Sequence, residues 1–163
     1  MPSPANTPPR ILCVDDRVSS LEIRQAMLAA AGYDVLIASD PPTALAIAGK
    51  DAIDLVILDY NFPGQMSGEE LAHKLRAANP NLPLIMLSGV PDLPESAAAS
   101  VDLLLMKGAG RPTDLLQAIA RLVLRARATT DSATQQTSRT TEQTGKAEGS
   151  GQAPGDERAN FED

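Results

Sequence analysis

The 163-residue chain has no tryptophan and only two tyrosines and two phenylalanines. It therefore offers no stacking platform for nucleic-acid bases and no aromatic cage for a quaternary ammonium, and its core has to be aliphatic. A single cysteine, Cys13, excludes an intramolecular disulfide. No run reaches the roughly 18 apolar residues needed to cross a bilayer. The start of the chain, with Pro2, Pro4, Pro8 and Pro9, lacks the apolar stretch of a signal peptide, so a cytoplasmic protein without membrane contact is expected. Positive charge is also scarce. Lys and Arg number 14 against 21 Asp and Glu, a net charge of −7, which is the wrong sign for neutralising the phosphates of DNA or RNA. Nucleic acid is not an expected partner.

What is present is enough for one core. Hydrophobic residues make up 43% of the chain and charged residues 21%, close to the globular average, and the length suits one domain with extensions. Composition changes near Ala128. Residues 129–163 contain no Leu, Ile, Val or Met, and Thr, Ser, Gln and Gly dominate them. Such a segment cannot bury a core of its own, so a disordered polar tail is expected there, and a loose arm over residues 1–9. The folded unit is expected over residues 10–128. The tail has too few apolar residues for a winged helix or an enzymatic module, so no output domain is expected.

Within the unit, short apolar runs alternate with longer amphipathic stretches, the pattern of an α/β fold with five βα units around a parallel sheet. Strands are expected at residues 11–14, 35–38, 55–58, 84–87 and 103–106. Four of these are unbroken apolar runs, as in strands covered on both faces. Helix starts are marked by Ser19 with Glu22 and Ser67 with Glu70, both at capping-box spacing, and by Asp40 before Pro41. Leu115, Leu116, Ile119, Leu122 and Val123 define one buried stripe on the last helix. Pro91 and Pro94 confine the fourth helix to about residues 93–100.

Open parallel sheets bind ligands beyond the carboxyl ends of their strands, so the residues ending each run carry the functional argument. The first strand ends in Asp15 and Asp16, the third in Asp59, the fourth in Ser88 and the fifth in Lys107. Singly, each is an ordinary turn, cap or surface residue. Together they place three carboxylates, a hydroxyl and an ammonium at one sheet edge. Three neighbouring carboxylates repel, and a divalent ion with hard oxygen ligands and room for a phosphate, namely Mg²⁺, relieves that repulsion. With Lys107 and the metal the formal charge cancels, and the site can accept a phosphoryl group. Asp59 is the carboxylate best placed to attack phosphorus, with Lys107 and Ser88 holding the phosphoryl oxygens.

In order and spacing these residues resemble the receiver domain of two-component response regulators. The resemblance spans nearly all of residues 10–127. It rests on Asp15-Asp16, on Asp59 followed by Tyr60-Asn61-Phe62-Pro63, on Ser67-Gly68, on Ser88-Gly89 and on Lys107. It implies a flavodoxin-like (βα)5 fold with strand order 2-1-3-4-5. It also implies that a histidine kinase or phosphotransfer protein phosphorylates Asp59, and that a downstream protein, which the residues do not identify, reads the state. By the same carry-over, Asp16, Asp59 and the backbone carbonyl of Asn61 hold Mg²⁺, Asp15 acts through water, and Ser88 and Lys107 are the phosphate-sensing pair. The implied role is signalling rather than enzymatic, with catalysis confined to the domain's own phosphorylation and dephosphorylation.

The chain departs from the family pattern in four places. Gly64-Gln65-Met66 lengthens the loop between Pro63 and Ser67 by one residue. Gly108 follows Lys107 where the family usually has a cis proline; a cis non-proline bond costs about 2.5 to 4 kcal/mol, so a trans bond is expected. Leu104 stands where a switching Tyr or Phe is common, and the segment between Ser88 and Lys107 is short. These changes leave a pseudo-receiver, a binding module without phosphotransfer, as the alternative. A flavin-type phosphate cradle fits poorly because Asp15-Asp16 would repel phosphate without metal. An aspartate-nucleophile hydrolase would need a second Asp where Asn61 stands. His73 is expected on a solvated helix face, Cys13 as a small buried apolar residue, and Arg121, Arg125 and Arg127 as partners of a helix C-terminus.

Overall fold

Five short runs rich in Leu, Ile and Val become five parallel strands in the computed structural model, which describes residues 7–142. In chain order the elements are β1 (Arg10–Val14), α1 (Val18–Ala30), β2 (Asp34–Ala38), α2 (Pro41–Lys50), β3 (Leu55–Asp59), α3 (Gly68–Ala78), β4 (Leu84–Ser88), α4 (Glu95–Ala99), β5 (Leu103–Met106) and α5 (Pro112–Glu142). The strands lie in the order β2-β1-β3-β4-β5, the flavodoxin-like order that the resemblance implies. Register pairs Val14 with both Ala38 and Leu58, and Asp59 with Leu87, so the carboxyl ends of the strands finish at one edge.

Alternation along the strands divides the core into two layers. Leu12, Val14, Val56, Leu58, Leu84 and Met86 pack with Ala44 of α2, Leu71, Ala72 and Leu75 of α3 and Ala97 of α4. Ile11, Cys13, Leu55, Ile57, Ile85 and Leu87 pack with Leu21 and Leu28 of α1 and with Ile119 and Val123 of α5. The central strand β3 is buried throughout, whereas the edge strands β2 and β5 are mostly half-buried because each has one neighbour. Cys13 is fully buried in the second layer, and burial pushes its thiol up to about 12. A thiol reagent at pH 8 is therefore expected to leave Cys13 unmodified in the folded chain and to label it fully in denaturant. Rapid labelling of the native protein would contradict this packing.

The helix ends follow local chemistry, with one correction. Asp40 caps α2, accepting from the Thr43 N–H at 2.7 Å, and these bonds hold its carboxyl below the usual range. Ser67 and Glu70 form the full capping box of α3, at 2.8 and 3.2 Å. The pair Ser19 and Glu22 does not cap α1. That helix starts earlier, at Val18 after an uncapped Arg17, because the Arg17 N–H is drawn to the Asp15 carboxylate at 3.0 Å and turns the chain at once. The fourth helix is shorter than residues 93–100, a single turn behind Pro94.

The chain divides into two units, Met1–Thr129 and Thr130–Asp163, and the sheet, helices α1 to α4, the first part of α5 and the acidic edge belong to the first. Helix α5 runs to Glu142, past residue 128 where a structureless tail is expected. Neither Gly nor Pro occurs between Pro112 and Gly145, and a lack of apolar side chains removes a buried face without preventing helix formation. Residues 1–6 and 143–163, where disorder is expected, lie outside the described residues. No helix among the described residues is long and apolar enough to cross a membrane.

Candidate functional site

Three strand ends meet at the acidic edge. Asp59 is the last residue of the central strand β3, and the Tyr60 N–H continues the ladder to the Leu87 carbonyl at 3.0 Å. Asp15 follows β1 directly and extends pairing with β2 through a 3.2 Å bond from its N–H to the Ala38 carbonyl. Lys107 follows β5, and its N–H donates to the Ser88 carbonyl at 2.7 Å. Ladder bonds therefore fix all three backbones before any side chain is considered.

The side chains converge. Carboxylate oxygens of Asp15, Asp16 and Asp59 lie within 4.8 Å of one another. Asp15 is fully buried, Asp59 is 6% exposed and Asp16 faces solvent, so the cluster opens on the side of Asp16. The Lys107 ammonium bridges the two buried acids, 2.7 Å from Asp59 Oδ2 and 3.2 Å from Asp15 Oδ2. The Asn61 N–H points to Asp59 Oδ1 at 3.4 Å. Three hard oxygen donors, one of them open to water, suit a small divalent cation, and the half-buried Lys107 alone does not neutralise three acids.

Ser88 ends β4 at the same edge and is fully buried, but its hydroxyl turns into its own loop. Its Oγ donates to the Val90 carbonyl at 3.1 Å and accepts from the Val90 N–H at 2.9 Å. The structure thus joins Asp15, Asp16, Asp59 and Lys107 in one cluster, sets the Asn61 backbone against it, and holds the Ser88 hydroxyl in a closed turn. Among the described residues there is no cis peptide bond, so Lys107–Gly108 is trans, and Gly108 takes a φ of 76° that a proline could not adopt.

The longer loop leaves the site's supports in place. Phe62 is buried, Gly64 turns the chain at a φ of 73°, and the Gly68 N–H returns to the Tyr60 carbonyl at 2.7 Å. Leu104 is half-buried against the layer that contains α3 and α4. His73 is exposed on α3, 3.9 Å from Glu69 and away from the cluster.

Two contributors escape the reading of strand ends. Gly68 packs its α-carbon against the Asp59 and Tyr60 backbone, with no room for a Cβ. Arg24 of α1 reaches the buried Asp15, Nη2 to Oδ2 at 3.4 Å, with its side chain 11% exposed. The available signal for Arg24 is its spacing, three residues after Leu21 and four before Leu28, which puts a charge on the apolar face of α1.

Residues 11–120 match the family model described as the response regulator receiver domain. The probable transcriptional regulatory protein TcrX of Mycobacterium tuberculosis is 37% identical over 81 residues, which are 50% of this chain and 34% of that protein. The chain thus spans about a third of that relative's length. A CheY-like receiver domain protein from Methanospirillum hungatei superposes with a TM-score of 0.68 at 28% identity, over 75% of this chain and 98% of that one. The response regulator TrrA of Thermotoga maritima, solved in complex with Mg(2+)-BeF, gives 0.63 at 29% identity, over 70% and 98%.

Proposed function

Since the chain belongs to the response regulator receiver family, we propose that it accepts a phosphoryl group on Asp59 in a Mg²⁺-dependent step and signals through contacts with other proteins. The observation that carries this reading is the bridge of Lys107 between Asp59 and Asp15 at the open acidic edge. The phosphoryl unit is the domain of residues 10–128, and residues 1–9 and 129–163 lie outside it. The donor is a phosphohistidine on a kinase or phosphotransfer protein. An Asp59 oxygen bonds to phosphorus as the phosphorus–nitrogen bond breaks, and the imidazole departs with the electron pair and takes up a proton.

The donor set fits Mg²⁺, which would be held by Asp16, Asp59 and the Asn61 carbonyl, with Asp15 acting through water. When bound it supplies positive charge that offsets the carboxylates and the incoming phosphoryl oxygens. A relative captured with Mg(2+)-BeF supports the same chemistry here. Lys107 leaves Asp15 to follow the phosphoryl oxygens. The Ser88 hydroxyl breaks its turn with Val90 to donate to one of them, drawing the loop from Ser88 to Val90 inward. Labelling by acetyl phosphate is expected with Mg²⁺ and not with excess chelator. Undiminished label in chelator would overturn the metal dependence.

The readout runs through that loop and the single turn of α4, because Leu104 has neither a ring to rotate nor a hydroxyl to expose. Ser88→Ala is expected to leave Asp59 phosphorylatable while abolishing the phosphorylation-dependent change in partner affinity. Leu104→Ala is expected to lower stability by about 1 to 3 kcal/mol, since its side chain is only half-buried, with that change retained. A Leu104→Ala chain of normal stability that no longer discriminates between states would contradict this route.

A further inference from the structure

Arg24 carries the one guanidinium described within ion-pair distance of the acidic cluster, and its bonding is incomplete. Nη2 lies 3.4 Å from Asp15 Oδ2, the same oxygen that accepts from Lys107, while Nη1 is fully buried and makes no hydrogen bond. The side chain lines a cavity of about 380 Å³ between α1 and the segment after β5, together with Met27, Leu87, Leu105 and Lys107. Asp114 also lines that cavity, but its carboxylate is taken by the Arg111 N–H at 2.8 Å. The charge of Arg24 is therefore directed at Asp15 from a mostly apolar wall. Burying a guanidinium with an unused donor is unfavourable, and packing alone would be better served by Met or Leu at this position.

We propose that Arg24 is a positioning residue that acts as a second internal cation of the acidic site, holding Asp15 in place when Lys107 moves away and weakening Mg²⁺ binding in the unphosphorylated chain. The inference rests on the proposed Mg²⁺ site and deepens it. With Lys107 and Arg24 both present, two positive charges already offset the three carboxylates, so a divalent ion gains less from binding. Once Lys107 follows a phosphoryl oxygen, Asp15 Oδ2 loses one of its two cationic partners. Arg24 is already in contact with that oxygen and keeps the buried carboxylate paired.

The test is calorimetric Mg²⁺ titration of the full unphosphorylated chain beside its Arg24→Met, Arg24→Gln and Arg24→Lys variants. Repulsion between a single and a double positive charge several ångströms apart in a water-accessible site corresponds to about a tenfold change in affinity. Arg24→Met and Arg24→Gln are expected to bind Mg²⁺ about tenfold more tightly than the unaltered chain, and Arg24→Lys about as tightly as it. Gln retains a donor for Asp15, so it carries the same expectation should Arg24→Met fail to fold. Equal or weaker binding in the neutral variants would show that Arg24 does not act as a second cation of the site, and that result overturns the proposal. Absence of Mg²⁺ binding in the unaltered chain and in every variant defeats the metal reading itself and this inference with it. Binding by the unaltered chain with no gain in the variants defeats only the role of Arg24.

Discussion

Asp59→Asn is expected to reduce phosphorylation by acetyl phosphate or by a phosphorylated kinase at least about 10³-fold, to below detection in a radiolabel assay. The amide keeps the shape of the side chain at the end of β3 but lacks a nucleophilic oxygen and one of the three negative charges that attract the metal. The fold should survive. Asp59 contributes to like-charge repulsion as well as to its 2.7 Å pair with Lys107, and Lys107 keeps Asp15 as a partner at 3.2 Å. Thermal denaturation is thus expected to move by no more than about 1 to 2 kcal/mol in stability. Loss of label together with unfolding would implicate Asp59 in structure rather than chemistry, so the two measurements belong together.

Gly68→Ala is expected to destabilise the domain by about 2 to 4 kcal/mol and to impair phosphorylation at the same time. Helix propensity alone predicts the opposite sign, since Ala is favoured over Gly in a helix by about 1 kcal/mol. Steric collision outweighs propensity because a Cβ at position 68 would collide with the Asp59 carbonyl oxygen and approach the Tyr60 α-carbon to 2.7 Å. Both are backbone atoms of the strand end that carries the Asp59 carboxylate. Neither can yield without moving β3, and α3 cannot retreat without breaking the Ser67–Glu70 capping box and the bond from the Gly68 N–H to Tyr60. Equal stability of the variant and the unaltered chain in urea denaturation would contradict this close approach.

The contrast between these residues shows what can be read from the chain alone. The five strands are legible because buried parallel strands are unbroken apolar runs, and the acidic edge is legible because such sheets present their functional groups where those runs stop. Asp15, Asp59 and Lys107 follow directly. Gly68 appears in the sequence only as the opening of a helix, since its contact with β3 is a tertiary approach between backbones. Arg24 is one arginine among several until packing shows Asp15 buried beside it. The first helix start illustrates a different limit: Ser19 and Glu22 have capping-box spacing, yet the Asp15 carboxylate captures the Arg17 N–H and starts the helix earlier. The extent of α5 is not legible for the opposite reason, because residues 129–142 lack the apolar stripe by which a helix is recognised, although nothing in them breaks one.

The position of the phosphoryl group tests the role of Asp59 most directly. Phosphorylation in the presence of Mg²⁺, borohydride reduction of the acyl phosphate and peptide mass spectrometry locate the modified residue as homoserine. That conversion is expected at Asp59 and at no other residue. Conversion at Asp15 or Asp16 with Asp59 unmodified, or phosphate recovered on a serine or on His73, would contradict it.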